Sequence, residues 1–129
     1  MPAIAQLVIN DGQATPAAHT FAVVGTTGTK AIWADKASGI PTGYLKITNE
    51  VREAKSTNGA HSVIFGFEFP TLATVNGVST RVRVSSAQVR LNFAQDSTDQ
   101  ERKDAVAYVA NTLGNATVKA ATYNIEPHY

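Results

Sequence analysis

The stretch His61-Ser62-Val63-Ile64-Phe65-Gly66-Phe67-Glu68-Phe69 decides the fold. Val63, Phe65, Phe67 and Phe69 alternate with Ser62, Ile64, Gly66 and Glu68, the period of a strand whose side chains point to opposite faces. The alternation recurs on either side. In Tyr44–Arg52, Leu45, Ile47 and Val51 oppose Lys46, Thr48, Glu50 and Arg52. In Ser86–Phe93, Ala87, Val89, Leu91 and Phe93 oppose Ser86, Gln88, Arg90 and Asn92. Long strands with one apolar and one polar face are the signature of an antiparallel sheet packed on one side only. Working outward, Ile4–Asn10 and His19–Val24 flank Asp11-Gly12, and Lys30–Asp35 is a short strand containing Trp33. Asp11-Gly12, Asn58-Gly59 and Asn76-Gly77 are turn pairs that tolerate positive φ.

The period changes after Gln95. Asp96-Ser97-Thr98-Asp99-Gln100-Glu101 starts a helix: Ser97 with Gln100, or Thr98 with Glu101, has capping-box spacing, and acids in the first turn suit the helix dipole. Arg102, Val106, Val109 and Leu113 follow at helical spacing, with Gly114 as the C′ residue. Asn115–Thr122 reads as a second, shorter helix with Val118, Ala121 and Ile125 on its apolar side, closed by Pro127. The class is α+β, with about six antiparallel strands preceding two helices. The chain, 129 residues, is expected to form one domain over 1–129: hairpin and sheet over 1–95, helices over 96–129. Six strands about 4.8 Å apart make a sheet roughly 25–30 Å wide. Two helices, each about 10 Å across and one of them short, cannot cover it. The expectation is an obligate homodimer in which a second copy supplies the missing cover.

The chain has no cysteine, which excludes a disulfide scaffold, a thiol nucleophile and thiolate metal ligation. No apolar run reaches the roughly 18 residues of a membrane span, so no membrane partner is expected. Met1-Pro2-Ala3-Ile4 lacks the basic region of a signal peptide. The formal net charge of +1 hides an asymmetry. Residues 1–29 carry −1, residues 30–95 carry eight basic against four acidic groups, and residues 96–129 carry three against five. A basic middle and an acidic end suggest one anion-facing surface, although small chains show fluctuations of this size.

Catalytic and metal readings are weak. His19, His61 and His128 fall in no metal-ligand spacing. Gly25-Thr26-Thr27-Gly28-Thr29-Lys30 lacks phosphate-loop spacing and reads as a strand connection. Asp96, Asp99, Glu101 and Asp104 are explained by a helix N-terminus. No catalytic residue, metal ligand or cofactor is expected. The polar sheet face is more informative: Lys46, Thr48, Glu50 and Arg52 in one row, with Gln88 and Arg90 in another, could contact phosphates and bases. A merely solvated face would also be polar. Thr71–Thr80, holding Asn76-Gly77, reads as a long loop, and Arg81 and Arg83 at its base, with no acid nearby, read as phosphate contacts or exposed strand-start arginines.

Leu7-Val8-Ile9-Asn10-Asp11-Gly12, Ala31-Ile32-Trp33, Lys46-x-Thr48-x-Glu50-x-Arg52, Asn76-Gly77 and the closing Tyr129 occur in an order and spacing that resembles the coat proteins of single-stranded RNA bacteriophages, the leviviruses. The most specific piece, Phe93-Ala94-Gln95-Asp96-Ser97-Thr98-Asp99-Gln100-Glu101-Arg102, is similar to a family Phe-Thr-Gln-Tyr-Ser-Thr-Asp-Glu-Glu-Arg segment. The resemblance covers essentially the whole chain. It implies an N-terminal hairpin, a five-stranded antiparallel sheet and two helices in an intertwined homodimer. It further implies a virion shell of T=3 type, assembled in the bacterial host cytoplasm around the genomic RNA, with the phage maturation protein as a further partner. The sheet would face RNA and the helices would face outward.

The resemblance marks Lys46, Thr48, Glu50, Arg52, Ser62, Ile64, Arg83, Ser86, Gln88 and Arg90 as RNA-facing candidates. It marks Thr71, Asn76, Gly77 and Thr80 as a loop at symmetry axes. Relatives also use this face to bind an RNA hairpin as a translational repressor. Here Glu50 replaces a Ser, Ile64 and Gly66 stand where some relatives carry Thr and Lys, and Ser86 replaces a base-stacking Tyr. Stacking is worth about 1–3 kcal/mol per base, so hairpin specificity is expected to differ or weaken. The alternatives are a dimeric RNA-binding regulator that forms no shell, and, far behind, an enzyme using the sheet cleft, for which no base–nucleophile pair exists.

Overall fold

The computed structural model describes residues 3–128. Met1, Pro2 and Tyr129, including the terminal residue of the family resemblance, lie outside the described residues. Six strands form one antiparallel sheet in chain order: β1 Leu7–Asn10, β2 Ala18–Thr27, β3 Lys30–Asp35, β4 Leu45–Arg52, β5 Ala60–Val75 and β6 Val78–Ala94. Two helices follow, α1 Asp99–Gly114 and α2 Ala116–Asn124. The α+β order of strands then helices is the one the hydrophobic period implied.

The largest departure from the sequence reading is at Thr71–Thr80. This segment is not a loop. β5 and β6 stay paired out to Val75 opposite Val78, and Asn76-Gly77 alone makes the turn. Asn76 has φ 50° and Gly77 φ 77°, the paired left-handed conformations of a tight hairpin turn. Thr71 and Thr80 are therefore strand residues. Pro70 hides this in the sequence, because proline cannot donate to a ladder and argues against a strand interior. It is accommodated beside a register shift between Thr71 and Leu72. The other turn pairs behave differently: Asp11-Gly12 only begins a seven-residue connection, and Asn58-Gly59 has no positive φ.

Thr98 is the N-cap of α1. Its hydroxyl accepts from the Glu101 amide at 3.2 Å, and the Glu101 carboxylate accepts from the Thr98 amide at 2.7 Å, so the Thr98–Glu101 pair forms the capping box. Ser97 instead receives the Arg102 guanidinium on its carbonyl. Gly114 is the last residue of α1, not a C′ residue. Asn115 turns extended (ψ 131°), ending α1 and capping α2, with its side chain accepting from the Thr117 and Val118 amides. Ile125 does not extend the apolar side of α2. It is the αL cap (φ 60°) and is 91% exposed.

Directly paired residues of antiparallel strands share a face, so the register fixes both sides of the sheet. Trp33, Ile47 and Phe67 pair in one row, Val51, Val63 and Leu91 in another, and all lie on the apolar face. The Trp33 indole donates to the Ala5 carbonyl at 2.8 Å, which brings the chain before β1 over this face. Among the described residues the buried apolar ones are few: Phe21, Ala34 and Ile47. No helical residue is buried, and Phe69 is 39% exposed. The accessible surface is 9571 Å², whereas a compact monomer of this mass exposes about 6,600 Å². The chain by itself leaves much of the β5–β6 half of its apolar face, and the inner sides of both helices, without cover.

Candidate nucleic-acid interface

The opposite face carries the polar row of β4, and the register extends it sideways. Lys46 pairs with Glu68, which pairs with Ser86; Thr48 with Gly66 and then Gln88; Glu50 with Ile64 and then Arg90; Arg52 with Ser62 and then Asn92. Nine of the ten sequence-predicted positions thus share one face. Arg83 is the exception. It pairs with Thr71 on the Phe67–Phe69 side, so β-alternation puts it on the wrong face for this surface. Period-two counting from Arg90 would have given Arg83 the face of Val89; the loop reading of Thr71–Thr80 obscured it.

The cations differ in how far they are already engaged. Arg52 donates to both Glu50 oxygens, at 2.9 and 3.2 Å. That pairing, with Lys30 nearby, holds the Glu50 carboxyl below its usual range and raises the Arg52 guanidinium. Glu50 therefore offers more than repulsion toward phosphate: it partly neutralises its neighbour. Arg81 pairs with Glu68 at 3.3 Å, so the expectation that no acid stands near it fails. Arg90 donates to Asn92 Oδ1 at 3.1 Å and to Ser62 Oγ at 3.3 Å, with no carboxylate partner among the described residues. Ser62 is 6% exposed and donates to Asn92 at 2.7 Å, so it orients Arg90 and is itself closed to a ligand. Lys46 forms no ion pair among the described residues.

Between the rows lies a shallow depression lined by Lys46, Thr48, Gly66, Phe67, Glu68, Ala87 and Gln88. Gly66 is its floor: a Cβ there would lie 2.7 Å from Thr48 Oγ1. Ser86 contributes only a hydroxyl at the rim, and Ile64 a half-buried apolar patch between Glu50 and Arg90. Lys30 was missed in the sequence. It sits opposite Glu50 on the same face and adds a cation without an ion pair among the described residues. A hairpin register between Lys30–Asp35 and Tyr44–Arg52 would have found it.

Among the described residues no cluster of three His, Asp or Glu could hold a metal ion. No described helix is long and apolar enough to cross a membrane. What the geometry defines is a flat, hydrogen-bonding, net-cationic platform backed by an uncovered apolar face.

That pairing of faces is the build of a viral coat subunit, and comparison with known proteins agrees. The levivirus coat protein family model matches residues 2–129. The capsid protein of Pseudomonas phage PRR1 is 32% identical over 114 residues, spanning 83% of this chain and 82% of that protein. The virus-like particle of bacteriophage NT-214 is 30% identical, with a TM-score of 0.85 over 98% of each chain. The virus-like particle of bacteriophage ESE058 is 28% identical, with a TM-score of 0.86 over 99% of this chain and 100% of that one. The chain belongs to the levivirus coat protein family. It is a structural capsid protein, not an enzyme.

Proposed function

We propose that two copies of this chain, each a single domain over residues 1–129, pair through the uncovered β5–β6 half of the apolar face. Each lays α1 and α2 across the other's sheet. Such dimers then close into an icosahedral shell, of T=3 type, around the phage single-stranded RNA, with the polar sheet face turned inward. Assembly takes place in the bacterial host cytoplasm, and the maturation protein joins the shell.

The observation that carries this reading is the excess of exposed surface, about 3,000 Å² beyond a compact monomer of the same mass. Obligate interfaces bury about 2,000–5,000 Å² in total, so a dimer and its shell contacts can absorb it. The relatives whose solved structures are virus-like particles support the same assembly. On the inner face Lys30, Lys46 and Arg90 carry no carboxylate partner among the described residues, whereas Arg52 and Arg81 are paired. Each copy then offers only a few phosphate contacts, and RNA retention is a sum over many copies. The face lacks an aromatic stacking ring at Ser86, so it holds RNA with little hairpin selectivity.

Negative-stain microscopy of the expressed protein, with nuclease-protected RNA measured in the same sample, tests the reading. Closed particles containing protected RNA are expected. Dimers with bound RNA and no particles would favour a regulator that uses the sheet without a shell. Tight, selective filter binding of the relatives' operator hairpin would contradict the weak selectivity.

A further inference from the structure

His19 is unlike the other histidines. Its Nδ1 lies 2.9 Å from Asp35 Oδ2 and its Nε2 lies 3.1 Å from Asp11 Oδ2. Ionised carboxylates only accept hydrogen bonds, so both ring nitrogens must donate, and only the imidazolium can do so. His61 is the internal contrast. The Ala54 backbone amide donates to its Nδ1 at 3.1 Å, so that nitrogen carries no proton.

The three linked residues come from different parts of the fold. Asp11 begins the connection after β1, His19 lies in β2 opposite Ile9, and Asp35 ends β3 and is 6% exposed. β1 pairs with β2 over four residues only. β2 is itself laddered to β3 from Ala22 to Thr27, so it is the β1 end of the hairpin that relies on side-chain ties, the Trp33 bond to Ala5 and the His19 bond to Asp35. Asp11 is also fixed locally, accepting from the Gln13 and Ala17 amides. With Gly12, Gln13 and Pro16 it lines a cleft against Val118, Lys119, Thr122 and Tyr123 of α2, so Lys119 is the other charge facing it.

We propose that His19 is a proton-dependent latch that fixes the amino-terminal hairpin to the sheet. When the imidazolium loses its proton, one ring nitrogen becomes an acceptor facing a carboxylate. That contact turns repulsive and the hairpin loosens. The sign follows from the partners. The carboxylates of Asp35 and Asp11 raise the His19 value above its usual 6.5. The latch's contribution is therefore complete below 6.5 and is lost as pH rises through the raised value. The hydrogen bonds from Ala17 and His19 lower Asp11 to about 2, so the acid side of the latch fails only as pH falls through that range.

Nitrogen-15 spectra of sedimented, histidine-labelled full-length protein test this directly, with signals assigned by removing His61 and His128 in turn. Both His19 nitrogens should keep their protons to a pH above 6.5, the usual imidazole value. Loss of a His19 proton at or below that value would overturn the latch. Hydrogen exchange at Leu7–Asn10 supplies the mechanical readout. After correction for intrinsic rates, it should accelerate about tenfold as His19 titrates, and this step should vanish in His19→Gln. An equal step in His19→Gln would overturn the proposal. Asp35→Asn, which keeps the side-chain shape, should move the step to lower pH; an unmoved step would also count against it.

Discussion

The two faces of the sheet solve different problems. The polar face is settled within one chain. Glu50 holds Arg52, Glu68 holds Arg81, and Ser62 with Asn92 holds Arg90. The apolar face is not: its β2–β4 part is closed around Phe21 and Ile47, while Phe69 and the inner sides of α1 and α2 stay open. The difference teaches that one chain satisfies most of its polar face by itself but closes its core only in part. A chain of this kind gains its remaining stability on association.

Neighbouring residues of β6 can break that comparison. Leu91 and Asn92 point to opposite faces, paired with Val63 and Ser62. Leu91→Asp should abolish pairing and shell formation, because a charge buried without a partner costs several kcal/mol. Asn92→Asp should leave assembly intact. Sedimentation of both variants checks the contrast, and particles from Leu91→Asp would break it. On the polar face, Lys46→Ala and Arg90→Ala should each preserve particles and lower the salt dependence of RNA binding by about 0.7 in the log–log slope. An unchanged slope would remove that side chain from the RNA contact.

Smaller effects separate the helices from the sheet. Thr98→Ala removes the capping box and should cost about 1 kcal/mol, read as a lower midpoint in thermal unfolding of the assembled protein. Arg81→Ala should change stability by less than about 1 kcal/mol, because its pairing with Glu68 is exposed and screened by salt.

Much of this was legible in the sequence because strand period is a strong local signal. The alternation through Val63–Phe69 and Ala87–Phe93 identified both faces, and capping-box spacing placed the start of α1. The polar row of β4 needed only period two. What was not legible depended on register or on distant groups. Pro70 broke a strand that the structure continues past a bulge, so β5 and β6 were read short and Arg83 was placed on the wrong side. Arg81 has no acid near it in sequence, yet Glu68 meets it across the hairpin. Lys30 joins the cationic face through pairing with Glu50. The partners of His19 are not visible in sequence, since Asp11 and Asp35 approach it only after β1, β2 and β3 have paired.

The central claim is that one chain is half of a folding unit. Sedimentation equilibrium of protein released from particles, followed across dilution with circular dichroism on the same samples, tests it most directly. The account predicts that the smallest folded species has twice the 13.7 kDa chain mass, and that structure is lost when this species dissociates. A folded 13.7 kDa monomer, unchanged across the dilution series, would contradict it.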